Sequence, residues 1–482
     1  MILTEKQKKK AQLMESTKRI INLALVMGCL ALEIATFGFH WYFHFQHSVV
    51  EPLRNFYFKG HVLEIAVYGI VLFLISNMYG GMRLGYLKNS EIVFSQLFST
   101  VLADIFIWAE LSILANQPFQ LPYFIAMGSE QLVIVLIYIP VANKIYRHIF
   151  PPRKLLLVYG STNKDTLSEK FETRKDKYVI TDRIKAEEGY DAIVKRINED
   201  YSSGRINAVI IGDMSVTERK PLIKYCYGNS IRFYLLPKIG DVILSGAEEL
   251  HVFDSPILLT REYSLTVEQR VIKRTIDIVF SLLLIILTSP FMLLTAIAVK
   301  LCDRGPILYR QIRCTRDARK FTIYKFRSMR VDAESDGVAR LASKGDSRIT
   351  PVGKFIRKCR LDELPQLFNS LRGDMSFIGP RPERPEIIEQ YVEVMPEFAY
   401  RMKVKAGLAG FAQVYGKYNT TPYDKLKLDL IYIEQYSLML DLKLMLLTLK
   451  VLLWPDSTEG VEKEQITALK NGQDDSYKQE DR

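Results

Sequence analysis

The chain has 482 residues, enough for two to four domains, and 48% of them are hydrophobic. The apolar residues crowd the first 150 positions and recur at 276–301, which excludes a simple soluble globule. A formal net charge of +11 points to an anionic partner, and in a membrane protein acidic lipid or a phosphorylated substrate is favoured over nucleic acid.

The N-terminus, "MILTEKQKKKAQLMESTKR", precedes an apolar run with no small-residue cleavage site after it, so the first span is read as retained. Four candidate spans follow at about 20–40, 62–80, 91–115 and 121–147, each near the length a helix needs to cross a bilayer. Lys6, Lys8, Lys9, Lys10, Lys18 and Arg19 precede the first span. Arg83 and Lys88 separate the second from the third, and Lys144, Arg147, Arg153 and Lys154 follow the fourth. The 116–122 loop carries no charge, and the 41–61 loop has only Arg54 and Lys59 as Lys or Arg. The bias places both ends of a four-helix transmembrane bundle (1–150) in the cytoplasm. Glu33, Glu64, Asp104 and Glu110 fall in or near these spans, either paired inside the bundle or marking its ends. His40, His44 and His47 have helical spacing but end a span, where interfacial residues with polar tips are common. The five cysteines (Cys29, Cys226, Cys302, Cys314 and Cys359) form no CxxC pair, which fits a reducing cytosolic face rather than a disulfide framework or zinc site.

After "FPPRK", the runs "KLLLVYG" (154–160), "INAVIIGD" (206–213) and "IRFYLLP" (231–237) read as buried parallel strands. With polar, helix-like stretches between them, residues 151–262 are expected to form a small doubly wound, Rossmann-like domain. "YGSTNKDT" after the first strand has one glycine where a dinucleotide site wants three, so the domain is read as structural or regulatory.

A third unit spans 266–455, and 456–482 is a polar tail. Its first segment, "SLLLIILTSPFMLLTAIAV" (281–299), carries Pro290, which costs roughly 3 kcal/mol inside a straight helix. Ser289 offers a hydroxyl to a carbonyl freed there. Lys273 and Arg274 precede the segment, and Lys300 and Arg304 follow it. Basic flanks at both ends suit a helix that enters and leaves on the cytoplasmic side, breaking at Ser289 and Pro290. These features alone leave a kinked spanning helix open.

Residues 300–330 hold ten Lys or Arg against two Asp, which suits either a face resting on anionic lipid or a site for several phosphates. Nothing there forms a nucleic-acid-binding module. Next, Asp362 and Glu363 sit among Arg357, Lys358 and Arg360, and the turn "GDMSFIGPRP" returns Arg381 beside them if the chain folds compactly. Adjacent residues on a helix point about 100° apart, so the two carboxylates need not share one job. Carboxylates among phosphate-binding arginines suit phosphoryl transfer, with a divalent cation held by one carboxylate plus substrate phosphates. The leucine-rich 438–453 stretch carries Asp441, Lys443 and Lys450 on different faces, which leaves membrane surface and core open.

"LYRQIR", "FTIYKFRSM", "GDSRITPVGKFIRK", "LDELPQLFNSLRGDMSFIGPRPE" and "GLAGFAQVYGK" occur in order, and over 266–455 the chain resembles the bacterial sugar transferases, the monotopic phosphoglycosyl transferases. With its spans and middle domain it resembles their long form, such as the undecaprenyl-phosphate galactose or glucose phosphotransferases. The resemblance implies a mainly α monotopic catalytic domain with a re-entrant membrane helix at about 272–301. The whole is then a membrane α plus α/β protein of the bacterial inner membrane, multi-pass, with its catalytic domain on the cytoplasmic face. It also implies a reaction: Asp362 attacks the sugar-bearing phosphate of a UDP-sugar, UMP leaves, and undecaprenyl phosphate takes the phosphosugar from the aspartate. Glu363 resembles the magnesium-associated carboxylate, so Mg2+ is the implied cofactor. Lys325, Arg327, Arg357, Arg381 and Lys417 fall where the family binds phosphate and substrate. The implied partners are the UDP-sugar, undecaprenyl phosphate, membrane lipid and a second copy in a homodimer, with no nucleic acid. Because UDP-sugars are cytosolic, the resemblance also favours the re-entrant geometry.

The chain departs from the family at Ala406 and Ala409, where "PGLTG" is usual, and at Lys417, where an arginine is usual. A membrane-bound nucleotide-sugar dehydratase would need a second, glycine-rich domain that is not found after 266. A non-catalytic scaffold for polysaccharide assembly would tolerate Asp362→Asn, whereas a transferase would not.

Overall fold

The computed structural model describes residues 5–46, 58–160, 168, 170–252, 254–260, 265–331, 333, 346–416 and 420–453. His47, Lys417 and the polar tail lie outside them. Contacts divide the chain into two units, Met1–Leu236 and Pro237–Arg482.

The first unit opens with four helices: α1 (Glu5–His40), continued by a π-helical turn at Trp41–Phe45, α2 (Phe58–Tyr79), α3 (Asn89–Leu114) and α4 (Leu121–Ile149). All are long and apolar enough to cross a membrane. Aromatic packing joins them, with Phe37 stacked on Tyr68 at 4.3 Å and Phe45 on Phe124 at 4.7 Å between ring centres. A buried polar thread runs through the same interior. Glu33 accepts from Thr100 Oγ1 (2.6 Å) and Gln96 Nε2 (2.9 Å), while Tyr68 donates to Asp104 (3.1 Å) and accepts from Gln131 (2.7 Å). Such groups must find partners inside the protein where no water reaches them. His40 meets Glu130 at 3.1 Å, and His44 stacks on Tyr123.

A parallel sheet follows, built from β1 (Arg153–Tyr159), β2 (Tyr178–Lys185), β3 (Ala208–Ile211) and β4 (Phe233–Leu235) in the order β2-β1-β3-β4. Helices α5 (Tyr190–Ser202) and α6 (Val216–Gly228) alternate with the later strands. Leu156, Val158, Val209 and Ile211 pack on one face, and Leu155, Leu157, Ala208 and Ile210 on the other. The stretch expected to be helix-like between the first two apolar runs contains β2. It is an edge strand whose exposure mostly alternates, so its apolar positions never form a continuous run.

The second unit begins with the short helix α7 (Ile239–Leu244) and the hairpin β5–β6 (Glu248–Val252 and Ser255–Leu259). The long helix α8 (Val267–Asp303) follows, with Thr266 as its N-cap. Helical backbone continues through Ser289 and Pro290, so the expected break is a proline inside one helix. Ser289 Oγ donates to the Ile286 carbonyl at 2.8 Å.

Beyond α8 come the antiparallel hairpin β7–β8 (Leu308–Cys314 and Lys320–Phe326), α9 (Pro351–Lys358), a 3-10 turn at Leu361–Glu363 and α10 (Gln366–Arg372). Then follow β9 (Ser376–Ile378), α11 (Pro385–Val394), β10 (Gly407–Ala409), α12 (Phe411–Tyr415), α13 (Pro422–Glu434) and α14 (Leu438–Leu453). Strands β9 and β10 pair in parallel.

Both ends of α8 are fastened to this unit. Lys273 Nζ donates to Asp441 (2.6 Å) and the Ile378 carbonyl (2.9 Å), so a lysine that reads as a membrane flank is buried inside the fold. Arg274 donates to the Ser370 and Leu371 carbonyls (both 2.7 Å), and Asp277 accepts from Ser376 Oγ (2.9 Å) and Phe377 N (2.8 Å). At the far end Asp303 pairs with Arg327. Asp441 and Leu444 are buried, which places that side of α14 in the core.

Asn369, fully buried, joins α10 to the outer edge of β8: its Nδ2 donates to the Thr322 carbonyl (2.7 Å) and its Oδ1 accepts from Tyr324 N (3.1 Å). Asn369→Leu strands both backbone groups, at about 1–3 kcal/mol each. The thermal midpoint of the purified protein is expected to fall by about 4 °C or more, read by intrinsic fluorescence.

Candidate active site

The site is assembled by three short pieces of chain. On β8 the two-residue period puts Lys325 on the same face as buried Phe321 and Ile323, and that face turns toward the 3-10 turn. Helix α9 ends at Lys358, and Arg360, at φ 55°, swings the chain into the turn that carries Asp362 and Glu363. That left-handed backbone costs a side-chain-bearing residue about 1–2 kcal/mol. The third piece follows β9, where Gly379 lies so close to the Lys405 carbonyl oxygen that any Cβ would collide with it. The chain then delivers Arg381.

Glu363 is the hub. Its Oε1 accepts from Lys325 Nζ (2.9 Å) and Arg381 Nη2 (2.8 Å), and Arg360 lies 3.7 Å from Oε2. Burial alone would raise its carboxyl pKa, but Arg381, Lys325 and Arg360 hold it well below the usual carboxylate range. The neighbouring Asp362 is buried, and its Oδ1 has no hydrogen-bond partner among the described residues. Burial, and then the charge of Glu363, push its pKa up to about 6, against the pull of Lys325, Arg357 and Arg360. The two carboxylates therefore differ in character: Glu363 is clamped and its ionised form favoured by three cations, while Asp362 is unengaged with its pKa raised to about 6.

The structure thus brings Asp362, Glu363, Lys325 and Arg381 together, with Arg357 close enough to bias Asp362 electrostatically. Arg327 is set apart, its guanidinium taken by Asp303 at the end of α8. Ser289 and Pro290 lie within α8, and Lys417 is outside the described residues.

Sequence reading missed two layers of support. Arg360 was visible as a basic neighbour but not as a left-handed hinge paired to Glu363. Behind Arg381 lies a buried ionic network: Arg401 donates to the Arg381 carbonyl (3.0 Å) and pairs with Asp429 (2.8 Å), while Glu383 gathers Lys425, Arg401 and Arg313. Despite burial, those cations hold Glu383 at about 2. The departure at position 406 also has a local consequence. Ala406 N donates to Thr315 Oγ1 (3.1 Å), a bond that proline could not make.

The carboxylates fit a magnesium ion bound in the usual sparse manner, with one or two protein oxygens and the remainder from phosphates and water. The unengaged Asp362 Oδ1 and the loosely held Glu363 Oε2 are the available oxygens. Among the described residues no group of three or more His, Cys, Asp and Glu side chains could hold a metal, so substrate phosphates would have to complete the shell.

Residues 268–455, which contain this whole site, match the family described as bacterial sugar transferase. A UDP-N-acetylgalactosamine-undecaprenyl-phosphate N-acetylgalactosaminephosphotransferase of Aeromonas hydrophila is 30% identical, over 89% of this chain and 93% of its own. A galactosyl transferase of Streptococcus agalactiae is 29% identical over 86% of this chain and 97% of its own. A UDP-glucose:undecaprenyl-phosphate glucose-1-phosphate transferase of Escherichia coli is 35% identical over 53% of this chain and 56% of its own. With the site inside the matched region and similarity extending along nearly the whole length, the chain belongs to the bacterial sugar transferase family.

Proposed function

We propose that this membrane protein transfers a sugar 1-phosphate from a UDP-sugar to undecaprenyl phosphate, releasing UMP and starting assembly of a surface polysaccharide. The observation that carries the mechanism is the adjacency of a clamped, ionised Glu363 and a buried, unengaged Asp362. In this reading an Asp362 carboxylate oxygen attacks the sugar-bearing phosphorus, and the bond from that phosphorus to the UMP oxygen breaks. A phosphate oxygen of undecaprenyl phosphate then attacks the same phosphorus and the carboxylate leaves. Two displacements at one phosphorus let a soluble donor and a lipid acceptor use the site in turn. Lys325, Arg357 and Arg381 supply positive charge where the transferring group gathers negative charge. A magnesium ion held by Glu363 with the substrate phosphates would add to that neutralisation. The related proteins are named for N-acetylgalactosamine, galactose and glucose, so the donor sugar is left to experiment.

The same reading makes α8 re-entrant, with the catalytic unit on the cytoplasmic face, where UDP-sugars are found. Straight, its 37 residues would extend about 55 Å, against a hydrocarbon core of roughly 30 Å. The attachment of both ends to one unit, with Pro290 between them, supports a bent helix that returns to the side it entered.

Purified protein in nanodiscs, given magnesium, undecaprenyl phosphate and a panel of UDP-sugars, should release UMP with one of them. In Asp362→Asn, release should fall by roughly three orders of magnitude or more. Full activity in that variant would mean a different nucleophile, and no release by the wild type from any donor would leave a scaffold role. The acid limb of the rate should fall about tenfold per pH unit below about 6, because protonated Asp362 is no nucleophile. Removing a cation with Lys325→Met should move that limb upward, and removing the repelling charge with Glu363→Gln should move it downward, when residual rates are normalised. Single cysteines placed at the exposed positions 268 and 304, in a background without the native cysteines, should react with impermeant thiol reagents from the same side; opposite-sided labelling would make α8 a spanning helix.

A further inference from the structure

Within the Met1–Leu236 unit lies a cavity of about 390 Å3 that the proposed transfer reaction does not use. Its wall combines the approach to the first apolar span, the turn between α2 and α3, and the end of α4 with the amino ends of β1, β2 and β4. Ligands of open α/β sheets usually bind at the carboxyl ends of the strands, so this is a different kind of place. It sits where three apolar helical elements give way to polar chain, the level at which lipid headgroups meet a membrane protein.

The lining is strongly basic. Among the described lining residues, Lys18, Arg19, Arg147, Arg153, Lys177 and Arg232 stand with one acid, Asp176, which Arg147 (3.2 Å) and Arg174 (3.0 Å) already engage. Aromatic rings position several of the cations. Lys18 stands 5.7 Å from the Tyr146 ring and 5.4 Å from Phe150, Lys177 lies 4.4 Å from Tyr86, and Arg153 donates to the Tyr234 hydroxyl (3.1 Å). A ring face orients a cation without cancelling its charge as a carboxylate would. Burial, and then the nearby Arg174, hold the Lys177 ammonium below the ordinary lysine pKa. The volume exceeds that of a bare phosphate and leaves room for its ester substituents.

We propose that this cavity binds a phosphate ester, and that the ester is the headgroup of an anionic lipid at the membrane surface. Basic pockets at the ends of membrane helices suit such headgroups, and the flanking aromatic rings suit the adjoining interface. The site would tie the membrane helices to the parallel sheet through a lipid, making the unit's stability depend on membrane composition.

The test uses the full chain purified in neutral detergent, with binding and thermal midpoint measured against phosphatidylglycerol, phosphatidylcholine and glycerol 3-phosphate. Phosphatidylglycerol should bind at least tenfold more tightly than phosphatidylcholine and raise the midpoint. Arg153→Gln/Arg232→Gln should weaken that binding by about tenfold for each cation removed. Lys177→Gln alone should weaken it in the same direction, which guards against misfolding of the double variant. Lys224→Gln, an exposed change on α6, should leave it unaltered. Glycerol 3-phosphate binding as tightly as the lipid, with the same dependence on Arg153 and Arg232, would support the phosphate site and make a soluble ester its occupant. Phosphatidylglycerol that fails to bind, or binds wild type and cavity variants equally, overturns the proposal.

Discussion

One carboxylate oxygen, Oε1 of Glu363, receives both the Lys325 ammonium and the Arg381 guanidinium, and the active-site arrangement depends on that junction. It joins the β7–β8 hairpin, the 3-10 turn and the loop after β9, three pieces with no continuous sheet or helix between them. A buried ion pair is expensive to desolvate and is weak evidence for stability, but removing one partner leaves an uncompensated charge. Two cations on one oxygen therefore fix geometry more than they add stability. The clamp also sets the state of its neighbour, because Glu363 stays ionised and its charge opposes ionisation of Asp362.

The clamp would be loose if its supports could move. Asn369 holds β8 against α10, and Arg274 reaches from α8 to the last carbonyls of the same helix. Arg401 holds the Arg381 carbonyl while its own charge is met by Asp429 and Glu383. These are polar fastenings made by buried groups, each with a defined partner and direction, where apolar packing alone would tolerate sliding. The long apolar helix α8 is thus continuous with the scaffold that holds the Asp362 and Glu363 turn.

Much of this was legible in the chain where burial is two-sided or periodicity is long. The runs at 154–160 and 206–213 read as strands because β1 and β3 are covered on both faces, so Leu155–Val158 and Ala208–Ile211 are continuously apolar. Strand β2 escaped because it is an edge strand with mostly alternating exposure. The turn "GDMSFIGPRP" was legible as returning Arg381 beside Asp362 and Glu363, and Arg381 meets Glu363 at 2.8 Å because the short connection leaves few ways to fold. Arg327 and Lys273 show the limit of reading charge from sequence. Both belong to basic stretches, yet Asp303 takes one and Asp441 the other, and each partner comes from a separate helix. Nothing local distinguishes a lysine that faces lipid from one that meets an aspartate 168 residues further along.

For the proposed role of Asp362 as nucleophile, the charge balance of the site matters. Lys325, Arg357, Arg360 and Arg381 outnumber the two carboxylates, so the pocket carries an excess of positive charge before any substrate arrives. A diphosphate entering such a pocket is attracted, but its own charge opposes ionisation of the buried aspartate. A nucleophile already pushed to about 6 has little margin against that rise. The value of about 6 already includes the pull of Lys325, Arg357 and Arg360, each of which favours the ionised form, so without them the aspartate would be harder still to ionise. The cationic shell therefore does two opposed tasks at once: it draws in the phosphates and protects the aspartate from them. A pocket with fewer cations would bind less and attack more slowly. One with a hydrogen-bond donor in reach would satisfy Asp362 Oδ1, and an aspartate held that way is a weaker nucleophile.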